Sequence, residues 1–259
     1  MITSRHNPKV QLVRKLQDQV KVRREQQAFV IEGVRLAEEA LRSGWTAQQV
    51  FFTPQLNVRG SVVVEAFAAQ GVPCEQVSEA VMKALSQTET PQGLVVTLNQ
   101  QILPLPPAAS FLLVLDGLRD PGNLGTILRT AAAAGVEGVL MAPGCVDAWS
   151  PKVLRSAMGA HFRLPMLGQN WQEIQHVINS SPSHLTVYLA DSAAGTSYTQ
   201  VDFCSPLALI VGGEAAGAGN EATSLADMKV HIPMPGGSES LNAAIATGVL
   251  LFEVLRQRG

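Results

Sequence analysis

Three glycine-rich bends, each following an apolar run, hold the residue types that could do chemistry in this chain. The first, LDGLRDPGNLGTILRT, sets Asp116, Gly117, Asp120, Pro121, Gly122, Asn123 and Gly125 ahead of a helix containing Arg129. The second, LALIVGGEAAGAG, puts Glu214 just after an apolar strand and among glycines. The third, VHIPMPGGSESLNAAIA, leaves a strand, turns through Gly236, Gly237 and Ser238, and enters a long apolar helix with Ser240 placed to cap it and Asn242 in its first turn. Backbone N–H groups at a helix start lack an intrahelical partner, which suits them to polar or anionic ligand groups. Taken singly, each bend also has a structural reading: a capped helix packed on a sheet, or a Glu satisfying turn amides. Three bends at strand C-termini on one edge of a parallel sheet would instead form one crevice, the usual ligand position of open α/β sheets.

Arg129 lies in TILRTAAAAG, whose small and apolar residues imply burial, and a buried guanidinium needs a carboxylate or phosphate beside it. The first bend lacks GxGxxG spacing and has no acid placed for a ribose at the next strand end, so a dinucleotide site fits poorly. No Ser-His-Asp order, HExxH or Walker A pattern competes.

The elements that must position these bends follow from periodicity. After residue 110 the strands are continuous apolar runs, FLLVLD, GVLMAP, LTVYLA, LALIVG and VHIP, as expected when helices cover both faces of a mainly parallel sheet. Helices fall at Asn123 to Ala134, Pro151 to Gly159, Trp171 to Asn179 and Leu241 to Gln257. Upstream, an amphipathic helix from about Pro8 to Val22 precedes short alternating units: AFVIEG, VRLAEEALRSG, QVFFTP, helices at Val62 to Gln70 and Glu79 to Gln87, a strand near Val72 to Val77, and GLVVTL. The expected organisation is therefore a compact α/β sandwich over residues 1–100, a Pro-rich linker at 101–110 and an α/β domain over 111–259.

A chain of 259 residues, 46% hydrophobic, can bury two modest cores. The net charge of −2 gives no global basic excess, so nucleic-acid affinity must come from a local patch. Arg5, Lys9, Arg14, Lys15, Lys21, Arg23 and Arg24, set against only Asp18 and Glu25, form such a basic arm. Cys74, Cys145 and Cys204 show no CxxC and no paired His spacing, which argues against disulfides and metal. The absence of an apolar leader or membrane-length run points to a cytoplasmic protein without a membrane partner.

Read together, DPGNLGTILRTAAAAG, IVGGEAAGAG and IPMPGGSESLNAAIA resemble the three ordered motifs of the SpoU (TrmH) family of RNA ribose 2′-O-methyltransferases, in the SPOUT superfamily. SPKVLRSAMGAHFRLP matches that family too, and FVIEGVRLAEEAL with TPQGLVVTL resembles its L30e-like substrate-binding domain. The resemblance implies a sheet whose C-terminal segment is tucked into a deep trefoil knot, a homodimer, and S-adenosylmethionine held by Val211, Gly212, Gly213, Ile232, Met234 and Leu241. It also implies catalytic roles for Arg129, Asn123, Glu214, Ser240 and Asn242. One departure stands out: the family's second motif commonly reads G-N-E, where this chain has Gly212, Gly213 and Glu214. The N-terminal resemblance favours ribosomal over transfer RNA as substrate. A non-catalytic RNA-binding protein is the remaining alternative, against which the retention of all five site residues argues.

Overall fold

A computed structural model describes residues 1–213 and 217–259, arranged as two compact units. The first comprises Met1–Gln101 and Asp147–Phe162; the second comprises Ile102–Val146 and Arg163–Gly259. Segment 147–162, expected in the downstream domain, thus belongs to the first unit, and the Pro-rich stretch from Ile102 onward belongs to the second.

The first unit runs α1 (Pro8–Asp18), α2 (Val20–Gln26), β1 (Ala28–Glu32), α3 (Val34–Arg42), β2 (Ala47–Phe52), α4 (Val58–Ala69), β3 (Cys74–Gln76), α5 (Glu79–Leu85) and β4 (Leu94–Asn99). Its sheet has the order β1-β4-β2-β3, antiparallel except for the parallel β2–β3 pair. Alternation along β1 sorts side chains between faces. Ala28 and Val30 join Val10, Val13 and Leu16 of α1 and Val81, Met82 and Leu85 of α5 in one core. Phe29 packs instead on Trp45 and Trp149, the latter carried by the returning segment. Each fully buried aliphatic side chain stabilises by about 1.5–3 kcal/mol relative to exposure.

The helix expected from Pro8 to Val22 is two helices, because Gln19 adopts extended backbone (φ −122°, ψ 111°). Arg23 accounts for the break. Only 3% exposed, it donates Nη1 to the carbonyls of Leu16 and Gln17, which α1 leaves open at its end, and pairs with the Asp147 carboxylate at 2.6 Å. Arg23 is therefore a structural cap and not part of an RNA-facing arm. Lys9 is paired with Glu75, while Arg14, Lys15 and Arg24 are exposed.

The second unit runs β5 (Phe111–Asp116), α6 (Pro121–Ala133), β6 (Gly138–Met141), β7 (Met166–Gly168), α8 (Trp171–Asn179), β8 (Thr186–Ala190), β9 (Thr196–Ser197), β10 (Leu207–Gly212), α9 (Asn220–Leu225), β11 (Met228–His231) and α10 (Ala243–Arg258). The helix Pro151–Ala157 of the first unit is α7 and packs on β1. The seven strands, in the order β7-β6-β5-β10-β8-β11-β9, are all parallel. β5 is buried at every position, as its unbroken apolar run requires of a strand covered on both faces. Ile174 and Ile178 of α8 and Ala222 of α9 share one core with Leu112 and Val114 of β5, while α10 packs on α6 and β10. Periodicity did not indicate β7, β9 or α9. Among the described residues no helix is long and apolar enough to cross a membrane.

Candidate active site

In a parallel sheet every strand ends at the same edge, and here the ends of β8, β10 and β11 open into a cavity of about 670 Å³. Val211, Gly212 and Gly213 form one wall; Ile232, Met234 and Leu241 form another. Ser240 and Asn242 also line it. Glu214 lies outside the described residues.

The bends approach each other at backbone distance. A Cβ on Gly213 would lie 2.5 Å from the Gly117 carbonyl oxygen, and one on Gly212 would lie 2.4 Å from both Ala218 N and Gly217 C. No side chain fits either position without moving main chain. That gives a physical account of Gly213 where the related motif commonly has Asn: the first and second bends touch there. Gly117 itself turns with φ +63°, a region L side chains rarely adopt.

Asp116 closes the same junction. Its Oδ2 accepts from the Gly219 N–H at 2.7 Å, and the residue is 9% exposed. Sequence reasoning included Asp116 in the first bend without a role, although an acid directly after an apolar run was a usable signal. Asp191, after LTVYLA, repeats it. Asp191 and Lys229 both line the cavity and pair at 3.0 Å. The Ala193 N–H and then Lys229 hold the Asp191 carboxyl below the usual carboxylate range.

The first and third bends meet through amides. Asn242, and not Ser240, is the N-cap of α10: its Oδ1 accepts from Ala244 N at 2.9 Å and Ile245 N at 3.3 Å. With Oδ1 so engaged, Nδ2 points outward and donates to Asn123 Oδ1 at 3.0 Å. Asn123 stands in the first turn of α6, where its own N–H is capped by Asp120 Oδ1 at 2.8 Å. One side-chain pair thereby brings two helix N-termini together at the cavity's edge.

Arg129 departs from expectation. It is exposed and is not in the cavity wall. The buried stripe of α6 is Leu124, Gly125, Ile127, Leu128 and Ala131, and position 129 turns off that stripe toward solvent. Small neighbours in sequence had suggested burial, but on a helix adjacent residues face different directions.

An apolar pouch with main-chain amides at its bends and one ion pair in its wall suits an amphiphilic ligand with a flat ring and a charged tail. Among the described residues no cluster of His, Cys, Asp or Glu could hold a metal ion. S-adenosylmethionine fits this donor set, with Val211, Ile232, Met234 and Leu241 offering apolar contact and Gly212 and Gly213 offering uncovered backbone.

Comparison with known proteins agrees with these features. Residues 110–252 match the SpoU rRNA methylase family, and residues 7–96 match an MRM3-like substrate-binding domain. The chain is 39% identical over 260 residues to an uncharacterised tRNA/rRNA methyltransferase of Synechocystis, covering 99% of this chain and 94% of that one. It is 34% identical over 253 residues to the 23S rRNA (guanosine(2553)-2′-O)-methyltransferase RlmP of Bacillus subtilis, covering 98% of each. Among solved structures, the AdoMet-bound rRNA methyltransferase from Sinorhizobium meliloti superimposes with a TM-score of 0.87 at 34% identity, covering 98% of this chain and 97% of that one.

Proposed function

The chain belongs to the SpoU rRNA methylase family, and from that premise we propose that it methylates ribosomal RNA, with Arg129, Asn123, Asn242, Ser240 and Glu214 as its working residues. It is an S-adenosylmethionine-dependent RNA ribose 2′-O-methyltransferase. The observation that carries this reading is the convergence of Val211, Gly212, Gly213, Ile232, Met234 and Leu241 on one cavity, with the Asn123–Asn242 pair at its edge.

Bound S-adenosylmethionine supplies a methyl already activated on a sulfonium, so the chain's own task is to position a ribose hydroxyl and manage its charge. A guanidinium, with a pKa above about 12, is a poor base. Arg129 instead holds the target phosphate and stabilises negative charge on the 2′ oxygen, and the proton leaves to a phosphate oxygen or water. The Asn123–Asn242 bridge orients the ribose, Ser240 fixes the third bend, and Glu214 holds the second. The exposed basic side chains of α1 and α2, Arg14, Lys15 and Arg24, add phosphate contacts in the RNA-binding N-terminal domain.

The working form is a homodimer. Ile245 (57% exposed), Phe252 (49%) and Leu255 (43%) lie on one face of α10, an apolar stripe that a second copy would cover. Thr130 of α6 lies 3.7 Å from where a Cβ on Gly248 of α10 would stand, so the two helices pack closely there. Sedimentation giving one chain per particle would remove the dimer. The packing of α10, the last element, on α6 and β10 supports the family's knotted threading. Free thiols at Cys74, Cys145 and Cys204 fit a reducing cytoplasm, where ribosomes are assembled.

Thermal shift with S-adenosylmethionine, its demethylated product, NAD and ATP tests the cofactor, and methyl incorporation into ribosomal RNA tests the reaction. Stabilisation by the first two ligands alone is expected. Stabilisation by NAD, or transfer only to transfer RNA, would overturn the respective part.

A further inference from the structure

The cavity of the second unit holds an ion pair, Asp191 with Lys229, that the transfer step leaves without a task. Ala190, the last residue of β8, pairs in register with Val211 of β10 on one side and Val230 of β11 on the other. Asp191 follows it, and so stands between the apolar walls that carry Val211 and Ile232. Its N–H donates to Val230 O at 2.9 Å, which fixes the main chain there. The side chain is fixed too: Oδ1 accepts from Ala193 N at 2.9 Å and Oδ2 from Lys229 Nζ at 3.0 Å. A carboxylate offers about four lone-pair sites, so each oxygen keeps room for one more donor. After both contacts the Asp191 side chain is still 29% exposed, and it lines the cavity.

The order of the strands decides which part of the cofactor reaches this carboxylate. The sulfonium has to meet the RNA ribose at the Asn123–Asn242 bridge, and Asn123 follows β5. Neighbouring strands lie about 4.8 Å apart, and β8 is the second strand from β5, so its end lies about 10 Å across the sheet. With the ring against Val211 and Ile232 and the sulfonium at the bridge, the sugar that joins them passes beside Asp191. A methionine tail in the same place would bring its ammonium against Lys229, and two cations on one carboxylate repel each other. A pair of hydroxyls carries no such penalty.

We propose that Asp191 grips the ribose of S-adenosylmethionine, its Oδ1 and Oδ2 accepting from the 2′ and 3′ hydroxyls, with Lys229 holding the carboxylate in place. The proposal rests on the methyltransferase reading and adds a specificity-determining residue to the cofactor site. An acid accepting from a ribose hydroxyl is the device that dinucleotide-binding sheets use at a different strand end. The acid absent after β6 is thus supplied after β8. Hydrogen bonds to an ionised acceptor are about twice as strong as neutral ones, so the loss of one hydroxyl is expected to be felt.

The test uses the full chain and calorimetry with S-adenosylhomocysteine, which binds without reacting, and with its 2′-deoxy and 3′-deoxy forms. The wild type should bind the parent about 10- to 100-fold tighter than either deoxy form. Asp191→Asn should weaken the parent by at least about tenfold and shrink that ratio to below about threefold. Lys229→Met, which leaves the carboxylate, should weaken all three ligands alike, by about threefold, and keep the ratio. Because the ratio compares ligands on one variant, a general loosening of the fold leaves it unchanged. 5′-Methylthioadenosine, which lacks the tail, should be weakened by Asp191→Asn as much as the parent. Equal wild-type binding of the parent and its deoxy forms, or a ratio that survives Asp191→Asn, overturns the proposal. So does an effect of Asp191→Asn that vanishes with 5′-methylthioadenosine, which would assign the carboxylate to the tail's ammonium. If the parent binds tightly and its deoxy forms bind equally well, only this assignment fails; if no adenosyl ligand binds, the underlying reading fails.

Discussion

Each unit has a cavity, and the two are built from opposite materials. In the second unit the walls are bends of main chain pressed so closely that Gly212 and Gly213 have no room for a methyl group. In the first unit arginine, lysine and amide arms surround the opening. A small ligand of fixed shape rewards a rigid mould, because nothing need be ordered when it binds. A long polyanion with varied sequence rewards side chains that can adapt. The difference also predicts where each unit is vulnerable: the mould to any added atom, the arms to lost charge or amide groups.

The largest expected effect belongs to the role proposed for Arg129, which stands outside the wall of the mould. Arg129→Lys keeps a positive charge but loses the planar fork, so RNA affinity should hold within about threefold while turnover falls by about 10²–10³. Wild-type turnover in single-turnover assays would remove Arg129 from the mechanism. Next is the mould itself. Gly212→Ala places a carbon on the backbone of Gly217 and Ala218 and should weaken S-adenosylmethionine binding by about 100-fold, or about 3 kcal/mol, by calorimetry. Unchanged affinity would mean that the bend is pliable and the contrast false.

Acid should act through a side chain of the first unit. His161 is 1% exposed, its Nε2 lies 2.8 Å from Ala148 O, and its Nδ1 has no hydrogen-bond partner among the described residues. Burial lowers its pKa to about 4. An unfolded chain takes up this proton near pH 6.5 while the folded one does not, so the folded state loses stability as pH falls from about 6.5 to 4, by up to about 3 kcal/mol. Urea unfolding read by the near-ultraviolet signal of Trp149, which packs on His161, should follow that slope. His161→Phe should flatten it, and an equal slope in the variant would place the acid sensitivity elsewhere.

Smaller still is Asp116, a buried carboxylate that ties the first bend to the second. Asp116→Ala leaves the Gly219 N–H unsatisfied and should cost about 1–3 kcal/mol by thermal melting, with a parallel loss of cofactor affinity. Asp116→Asn can keep an acceptor and should recover part of both. If Ala and Asn behave alike, the hydrogen bond is not what positions the bend.

Legibility in the sequence divides along the same line as the cavities. β5 and β10 could be read directly because a strand covered on both faces must be apolar throughout. β7, β9 and α9 are too short to show any period. The two arginines are the sharper lesson. Arg23 sits in a charged run and is buried, because Asp147, remote in sequence, reaches it; Arg129 sits in an apolar run and is exposed, because only its neighbours face inward. Burial of a long side chain is a property of its partners, which local composition does not record. Ser240 was the expected cap of α10, with Asn242 in its first turn, and the path of the bend makes Asn242 the cap instead. The role of Asp116 depends on a main-chain N–H that no side-chain pattern announces.

One exposed and one buried arginine of the first unit set the smallest prediction. Arg14 is exposed on α1, while Arg23 is 3% exposed and tied to two carbonyls and a carboxylate. If the first unit binds RNA through adaptable arms, Arg14→Ala should weaken binding only about two- to threefold, uniformly across RNA sequences, and reduce the salt slope by up to about 1, with no change in melting temperature. Arg23→Ala should do the reverse, lowering the melting temperature and leaving the salt slope of the folded protein where it was, because its charge never reaches phosphate. Anisotropy titrations across salt, paired with melting curves, separate the two. A salt slope that responds to Arg23 and not to Arg14 would mean that the RNA-facing surface has been assigned to the wrong side of α1.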